Sequence, residues 1–463
     1  MYYYQRPVAT LKEAMMILPL FLLCTLNIKT FAQQNPGGSK PGEFRASVVK
    51  VNISPGTPKQ LLGYAARLST GIHDSIYHHI IALDDGVTQF FLVSTDICLM
   101  SPSEYDVVAA MLQKKLGIDP LNFWWSVTHT HSAPEIGVPG MGEAFLGDRY
   151  KHPVDTAYTS FVEQSLINGI TEAREKLQPA KLGVGWGFSM ANINRRAVDV
   201  DGKASLGLNP EGPVDRRIGL IRLEKRDGSP LALIANYAIH GTVLGPKNVE
   251  ISGDVAGTVV DYVEKETGVP LLFINGAAGN LAPIYSVYPS PEAGHLGQFR
   301  VLLGNRIIEA NKKIVSTSDS INLFTGMLTV EAPRKINLSW PPGLEKYSGK
   351  TKNGVNMVRM PVRFLKINND VAIWAAPIEL FCEISNEIRD RSPFPFTFYY
   401  GYTNGWLGYL PSAGEWKYGG YEVDVVSPFT QEMSEALTEA VTGYLQGEML
   451  SVSAGHLKAK KKR

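Results

Sequence analysis

The tract Ser126-Val127-Thr128-His129-Thr130-His131-Ser132-Ala133-Pro134 holds the residues of this chain best suited to chemistry. Two histidines at i and i+2 on an extended chain point the same way, because strand side chains alternate between faces. Two imidazoles on one side suit a metal, or a metal ligand beside a proton-transfer group. Two loop histidines without a shared role are the plain alternative for an isolated pair. Further along, Asn236-Tyr237-Ala238-Ile239-His240-Gly241 ends an apolar run in a histidine followed by glycine. That histidine is either a ligand or a core residue satisfied by a hydrogen bond. Gly276-Ala277-Ala278-Gly279-Asn280-Leu281-Ala282-Pro283 follows another apolar run. Its small residues either bring main-chain amides to an oxyanion or make a tight packing turn, and the Walker phosphate pattern is missing. Ala376-Pro377-Ile378-Glu379 follows the apolar Val371-Ala372-Ile373-Trp374. The proline predicts a helix start with Glu379 in the first turn, where a carboxylate complements the helix end. The stretches 402–411 and 416–422 are rich in glycine and aromatic residues; they line a pocket or pack as loops.

These positions need elements to carry them. Apolar runs at 76–83, 90–94, 218–223 and 231–237 predict strands, and 123–125 reads as a buried strand arriving at the histidine tract. Helical spacing predicts helices over 104–116, 157–177, 255–267, 297–313, 380–389 and 430–445. Their alternation implies an α/β fold: mixed sheets with flanking helices in a single large catalytic domain, its metal site at strand ends, where open α/β sheets place their sites. Residues 341–354 read as a long surface loop.

The chain has 463 residues, 44% of them hydrophobic and 19% charged, with a net charge of +1, so it has ample material for a large core. Near-neutral charge gives no electrostatic case for nucleic acid. Arg6 and Lys12 precede an apolar stretch from Met15 to Leu26, and the small residues Thr30 and Ala32 follow. This pattern predicts a signal peptide over 1–32, cleaved after Ala32, with an uncleaved anchor as the rival. The expected organisation is then a linker over 33–43, a catalytic domain over 44–450 and a basic tail over 451–463, in a protein exported to the periplasm or beyond. Cys98 and Cys382 remain, either paired or as two buried free thiols.

Taken together and in order, these motifs resemble the neutral (non-lysosomal, alkaline) ceramidase family. The resemblance rests on Thr128-His129-Thr130-His131-Ser132, Asn192-Ile193-Asn194-Arg195, Ala238-Ile239-His240, Gly279-Asn280-Leu281-Ala282-Pro283, Pro377-Ile378-Glu379, and Tyr409 with Tyr421 twelve positions on. Leu62-Gly63-Tyr64-Ala65, Gly71-Ile72-His73 and Ser94-Thr95-Asp96 add to it, and it runs from about 44 to 445. It implies one zinc, held by His129, His240, Glu379 and Tyr409. It implies His131 near the substrate for proton transfer, and Arg195 and Tyr421 on the substrate or the developing oxyanion. Two departures stand out. The family turn carries a serine, proposed as nucleophile or oxyanion donor, where this chain has Ala282; and Ala133-Pro134-Glu135-Ile136-Gly137 introduces a carboxylate at Glu135. The C-terminal immunoglobulin-like domain usual in ceramide-cleaving members is expected to be absent.

With alanine at 282 the expected chemistry rests on metal. Zinc lowers the pKa of a bound water to about 7. The expected function is therefore a secreted zinc-dependent hydrolase cleaving an amide (N-acyl) bond by metal-activated water. His131 or Glu135 takes the proton, and Arg195 with Tyr421 stabilises the oxyanion. A metal-dependent esterase, deacylase or lyase acting on a glycan is the alternative, and an inactive ligand-binding relative is the third. The expected partner is a small-molecule lipid or glycan substrate; transient contact with a membrane surface and the oligomeric state stay open.

Overall fold

The computed structural model describes residues 31–32, 42–137, 147, 152–284, 295–335, 340–341 and 343–460. The expected signal segment up to residue 30, the linker over 33–41 and the last three residues of the basic tail lie outside the described residues.

Eight strands form the larger sheet, in the order Leu271–Asn275, Pro230–Tyr237, Arg217–Lys225, Gln178–Phe188, Arg45–Asn52, Tyr77–Asp84, Gln89–Thr95 and Phe123–Val127. The outermost pair at each end is parallel and the inner pairs are antiparallel. A second sheet runs Phe31–Ala32, Leu323–Pro333, Asn356–Ile367, Val371–Ala375 and Phe396–Tyr400, with Ser348–Lys350 beside Asn356–Ile367. Its last pair is parallel as well.

Strand alternation sorts the apolar residues. Ile81, Leu83, Phe90, Leu92 and Trp124 share a buried cluster with Leu365, Ile367, Ile373 and Phe398 of the second sheet. Ile80, Phe91, Val93 and Trp125, at the intervening positions, are buried with residues of the helices Pro102–Leu116 and Thr156–Glu175. Both faces are covered, which is why these strands read as continuous apolar runs. Helices Asp254–Thr267 and Asn305–Lys312 cover the other end of the large sheet. Cys382–Arg391 packs on Glu432–Lys460, and both contact the second sheet. The layers are helix, sheet, sheet, helix, the mixed α/β architecture expected.

Several local expectations change. Glu379 is not in a helical first turn: Glu379–Leu380 is a short strand paired in parallel with Tyr409–Leu410, and the helix starts at Cys382. Pairing with the tyrosine loop outweighs the helix-start signal of Pro377. The helix expected over 297–313 is broken by a π-turn over Arg300–Gly304, and a Cβ at Gly304 would sit 2.6 Å from Tyr262. The loop expected over 341–354 contains the 3-10 turn Glu345–Tyr347 and the strand Ser348–Lys350, anchored by buried Leu344 and Tyr347. The last helix runs on to Lys460. Cys98 and Cys382 are both free and buried. No described helix is long and apolar enough to cross a membrane.

The C-terminal ends of the parallel strand pairs converge. Ser94 Oγ donates to the Phe273 carbonyl at 2.5 Å, joining opposite ends of the large sheet. Buried Asn275 ties the loops together. Its Oδ1 accepts from Ile239 N at 3.0 Å, and its Nδ2 donates to Ile239 O at 2.7 Å and Thr128 O at 3.2 Å. Its carbonyl accepts from Gly401 N at 2.9 Å. One residue thus links the segments leading to His129, His240 and Tyr402.

Candidate metal centre

The histidine tract leaves its strand at Val127, and His129 adopts a left-handed backbone with φ of 63°. Simple strand alternation is therefore not what brings the two rings together. The chain turns at His129, and the turn still sets His131 Nε2 3.1 Å from His129 Nε2. A left-handed backbone costs a non-glycine residue about 1–3 kcal/mol, a strain found mostly where function demands it. Tyr402 and Asn404, in the facing loop, share that conformation with φ of 52° and 63°. His131 N donates to Gly241 O at 2.8 Å, and a Cβ at Gly241 would lie 2.5 Å from His129 O. Glycine after His240 is what lets the two histidine loops touch.

Two of the histidines are oriented by main chain. His129 Nδ1 donates to Cys98 O at 2.8 Å. His240 Nδ1 donates to Ala278 O at 2.7 Å and Leu281 O at 3.0 Å. The glycine-rich turn therefore offers carbonyls to a histidine. With Nδ1 donating outward, each Nε2 carries its lone pair inward, as in a histidine oriented for a metal. Both Nε2 atoms meet Glu379 Oε2, at 3.3 Å from His129 and 3.2 Å from His240. Glu379 accepts from Trp406 Nε1 at 2.9 Å and from the Tyr402 hydroxyl at 3.2 Å. The Tyr402 ring also stacks on His129, with centroids 4.3 Å apart. The Tyr409 hydroxyl lies 3.3 Å from His240 Nε2 and accepts from Arg195 Nη2 at 3.0 Å.

The donor set fits a metal. Ligand atoms of His129, His240 and Glu379 lie within 4.8 Å of one another, and all three residues are buried. Burial opposes ionisation of Glu379, but His129 and His240 outweigh it and hold its carboxyl well below the usual range. Burial likewise works to lower His129, and Glu379 with Cys98 overrides it, raising the ring to about 10. The carboxylate thus draws one positive charge to the centre, a proton on His129 or a cation in its place. Two imidazoles and a carboxylate are an ordinary zinc set. Cys98 belongs to a second close group with His129 and His131. Its sulfur faces His129 Nδ1 at 3.8 Å, the nitrogen turned outward, and burial pushes the thiol up.

His131 is held differently. Its Nδ1 is buried with no hydrogen-bond partner among the described residues. Tyr64 packs edge-on at 4.8 Å, and Gly63, with φ of 110°, lies so close that a Cβ would sit 2.5 Å from His131 Cγ. Burial, then the imidazoles of His129 and His240, lower its pKa well below the usual value, so the ring is neutral.

Beside the cluster, Arg195 Nε donates to Glu422 Oε1 at 3.0 Å, and Arg196 Nη1 donates to Glu422 Oε2 at 2.7 Å. Arg196 Nε also donates to Glu415 at 2.7 Å. Tyr421 meets the edge of Tyr409 with ring centroids 6.0 Å apart. Ala282 lies opposite Ile193 on the strand paired with Asn192–Val198, two positions before Arg195. Glu135 pairs with His152 at 2.9 Å. The structure thus brings His129, His131, His240, Glu379, Tyr409 and Arg195 together, with Tyr421 at the side of Tyr409. Sequence reasoning missed Tyr402, Trp406, Glu422 and Asn275. Tyr402, Trp406 and Glu422 lie in the two aromatic–glycine stretches read as lining a pocket or packing as loops; Asn275 carried no local signal.

Fold and cluster together define a mixed α/β protein with a buried histidine–carboxylate centre able to hold a metal. Residues 54–272 match the family model for neutral/alkaline non-lysosomal ceramidase, N-terminal. That stretch contains His129, His131, Arg195 and His240; Glu379, Tyr409 and Tyr421 lie beyond it and join them through the fold. Neutral ceramidase B of Dictyostelium discoideum is 28% identical over 231 residues, covering 45% of this chain and 30% of that protein. Neutral ceramidase of Oryza sativa subsp. japonica is 27% identical over 234 residues, 47% of this chain and 28% of that protein. The matched region spans less than a third of either relative. The crystal structure of neutral ceramidase from Pseudomonas aeruginosa shares the fold, with a TM-score of 0.66 and 16% identity over 87% of this chain and 75% of that one. A ceramidase complexed with C2 matches equally well, with a TM-score of 0.66 over 88% of this chain.

Proposed function

We propose that this chain is a zinc-dependent hydrolase that cleaves the amide bond of an N-acyl lipid with a water nucleophile. The carrying observation is the cluster itself: two Nε2 lone pairs and Glu379 Oε2 at 3.2–3.3 Å, with a third, neutral imidazole 3.1 Å away. His129, His240 and Glu379 would hold the metal, with the Tyr409 hydroxyl beside His240 as the fourth group. When bound, zinc supplies Lewis-acid polarisation of the acyl carbonyl and lowers the pKa of a water.

The remaining steps belong to the chain. The turn 279–283 has no hydroxyl side chain, so it supplies no serine nucleophile. His131, neutral and with Nε2 facing the cluster, takes the proton from the attacking water and returns it to the leaving nitrogen. Glu135, paired with His152, is the less suited base. Arg195 donates toward the Tyr409 hydroxyl, and with Tyr421 it stabilises negative charge developing on the carbonyl oxygen. Tyr64, packed on His131, closes that side of the ring. The names of the relatives support an N-acyl lipid as the substrate class. Export belongs to the same reading and rests on Arg6, Lys12 and the apolar stretch after them.

The test is release of fatty acid from short- and long-chain ceramides by the zinc-loaded chain, with His240→Ala as the blank. Release that vanishes in the blank is expected. Full zinc loading with no release from any ceramide would remove the substrate assignment and turn attention to acylated glycans.

A further inference from the structure

The glycine-rich turn 279–283 lends no side chain to the proposed chemistry, yet the side chain of Asn280 is bonded at both ends. Asn280 is fully buried. Its Oδ1 accepts from Cys382 N at 3.0 Å, and its Nδ2 donates to Glu383 Oε2 at 2.6 Å. Glu383 is partly buried in the first turn of the helix Cys382–Arg391. Its other oxygen accepts from Ser412 Oγ at 3.0 Å. The Cys382 thiol, which burial keeps protonated, lies 3.3 Å from Glu383 Oε2. A buried amide with both ends matched is rigid, and an amide bond to a carboxylate is stronger than one between neutral groups.

These bonds join the segments that carry the cluster. On one side is the turn itself. Its flanking carbonyls, Ala278 O and Leu281 O, orient His240, and its Asn280 O accepts from Arg195 N at 2.9 Å. On the other side is the strand pair of Glu379–Leu380 with Tyr409–Leu410. Cys382 and Glu383 follow the first strand directly, and Ser412 follows the second. The turn also touches the first strand through its main chain: Gly279 N donates to Leu380 O at 2.9 Å, and a Cβ at Gly279 would lie 2.8 Å from Glu379 O. A single main-chain bond is one point of attachment. The two side-chain bonds of Asn280 add further points and fix the angle between turn and strand.

We infer that Asn280, through Glu383, is a positioning residue for the candidate metal centre: its amide holds the His240 turn in register with Glu379 and Tyr409. Breaking the amide–carboxylate bond then loosens the metal without deleting a ligand. The inference rests on the metal reading above.

The test reverses the polarity of the bond. Asn280→Asp sets two carboxylates against each other. Adding Glu383→Gln restores a donor and an acceptor in the opposite sense: the new amide donates to the new carboxylate, which can still accept from Cys382 N, and the amide oxygen can still accept from Ser412. Zinc affinity is read by chelator competition, metal geometry by the visible spectrum of the cobalt-loaded chain, and stability by melting temperature. Asn280→Asp is expected to bind zinc about tenfold or more weakly, with an altered cobalt spectrum, and the double swap to recover both. Glu383→Ala, which strips Asn280 Nδ2 of its acceptor, is an independent variant should the first fail to fold, with the same loss expected. Zinc affinity and spectrum unchanged in a folded single variant, even one with a lowered melting temperature, overturn the inference, as does a double swap no better than Asn280→Asp. Wild type that takes up neither zinc nor cobalt removes the metal reading and this inference with it; loaded wild type beside indifferent variants removes this inference alone.

Discussion

The two sides of the candidate metal centre are built from different materials. On the histidine side, His129 and His240 are oriented by main-chain carbonyls of Cys98, Ala278 and Leu281. On the arginine side, Arg195 and the Tyr409 hydroxyl are held by side chains, through Glu422, Arg196 and Glu415. A carbonyl stays when the side chain of its residue changes; a carboxylate does not. The orientation of the two histidines is therefore a property of the fold, while Glu379, held by Tyr402 and Trp406, and Tyr409 beside Arg195 depend on buried side chains. Such a centre would keep a metal's histidines in place while the groups around Arg195 change.

That contrast is open to attack at several points. The largest effect is expected for His240→Ala, which deletes a proposed ligand itself. Even outer partners of ligating residues typically cost about 10–100-fold in metal affinity, so loss of the ligand should exceed that, read by competition with a zinc chelator. Glu422→Gln comes next. It leaves two buried guanidinium groups short of a charge, and breaking a buried pair this way typically costs about 3–5 kcal/mol. The melting temperature should fall and turnover with it, while zinc affinity of the folded fraction stays; lost zinc affinity there would break the separation of the two sides. Tyr402→Phe removes one donor from Glu379 and leaves the stack on His129, so zinc affinity should drop about tenfold. The smallest effect belongs to Leu281→Met. The carbonyl that orients His240 remains, the swap conserves volume at a cost below about 1.5 kcal/mol, and zinc affinity should not change. A marked loss would show that the Leu281 side chain, as well as its main chain, sets the histidine.

Much of this was legible in the chain. The strands Tyr77–Asp84 and Gln89–Thr95 were legible from their apolar runs; the burial of both their faces is what the packed structure adds. The strand ends carried His129, His240 and Glu379 to one place, as the α/β alternation implied. What escaped were features that exist only once distant segments meet. Glu379 looked like a helix-start residue because Pro377 is local and its strand partner Tyr409 is thirty positions away. The left-handed turn at His129 is fixed by its contacts with Gly241 and the Cys98 carbonyl, which no local pattern announces. Asn275, the residue joining three loops, reads as an ordinary strand terminus.

We propose the buried histidine–carboxylate cluster as a zinc site. The most direct measurement is zinc per chain by elemental analysis, on protein purified without chelator and again after zinc loading, beside His240→Ala treated identically. One zinc per chain in the wild type and essentially none in the variant is the predicted result. No zinc in the wild type after loading, or equal zinc in both proteins, would contradict it.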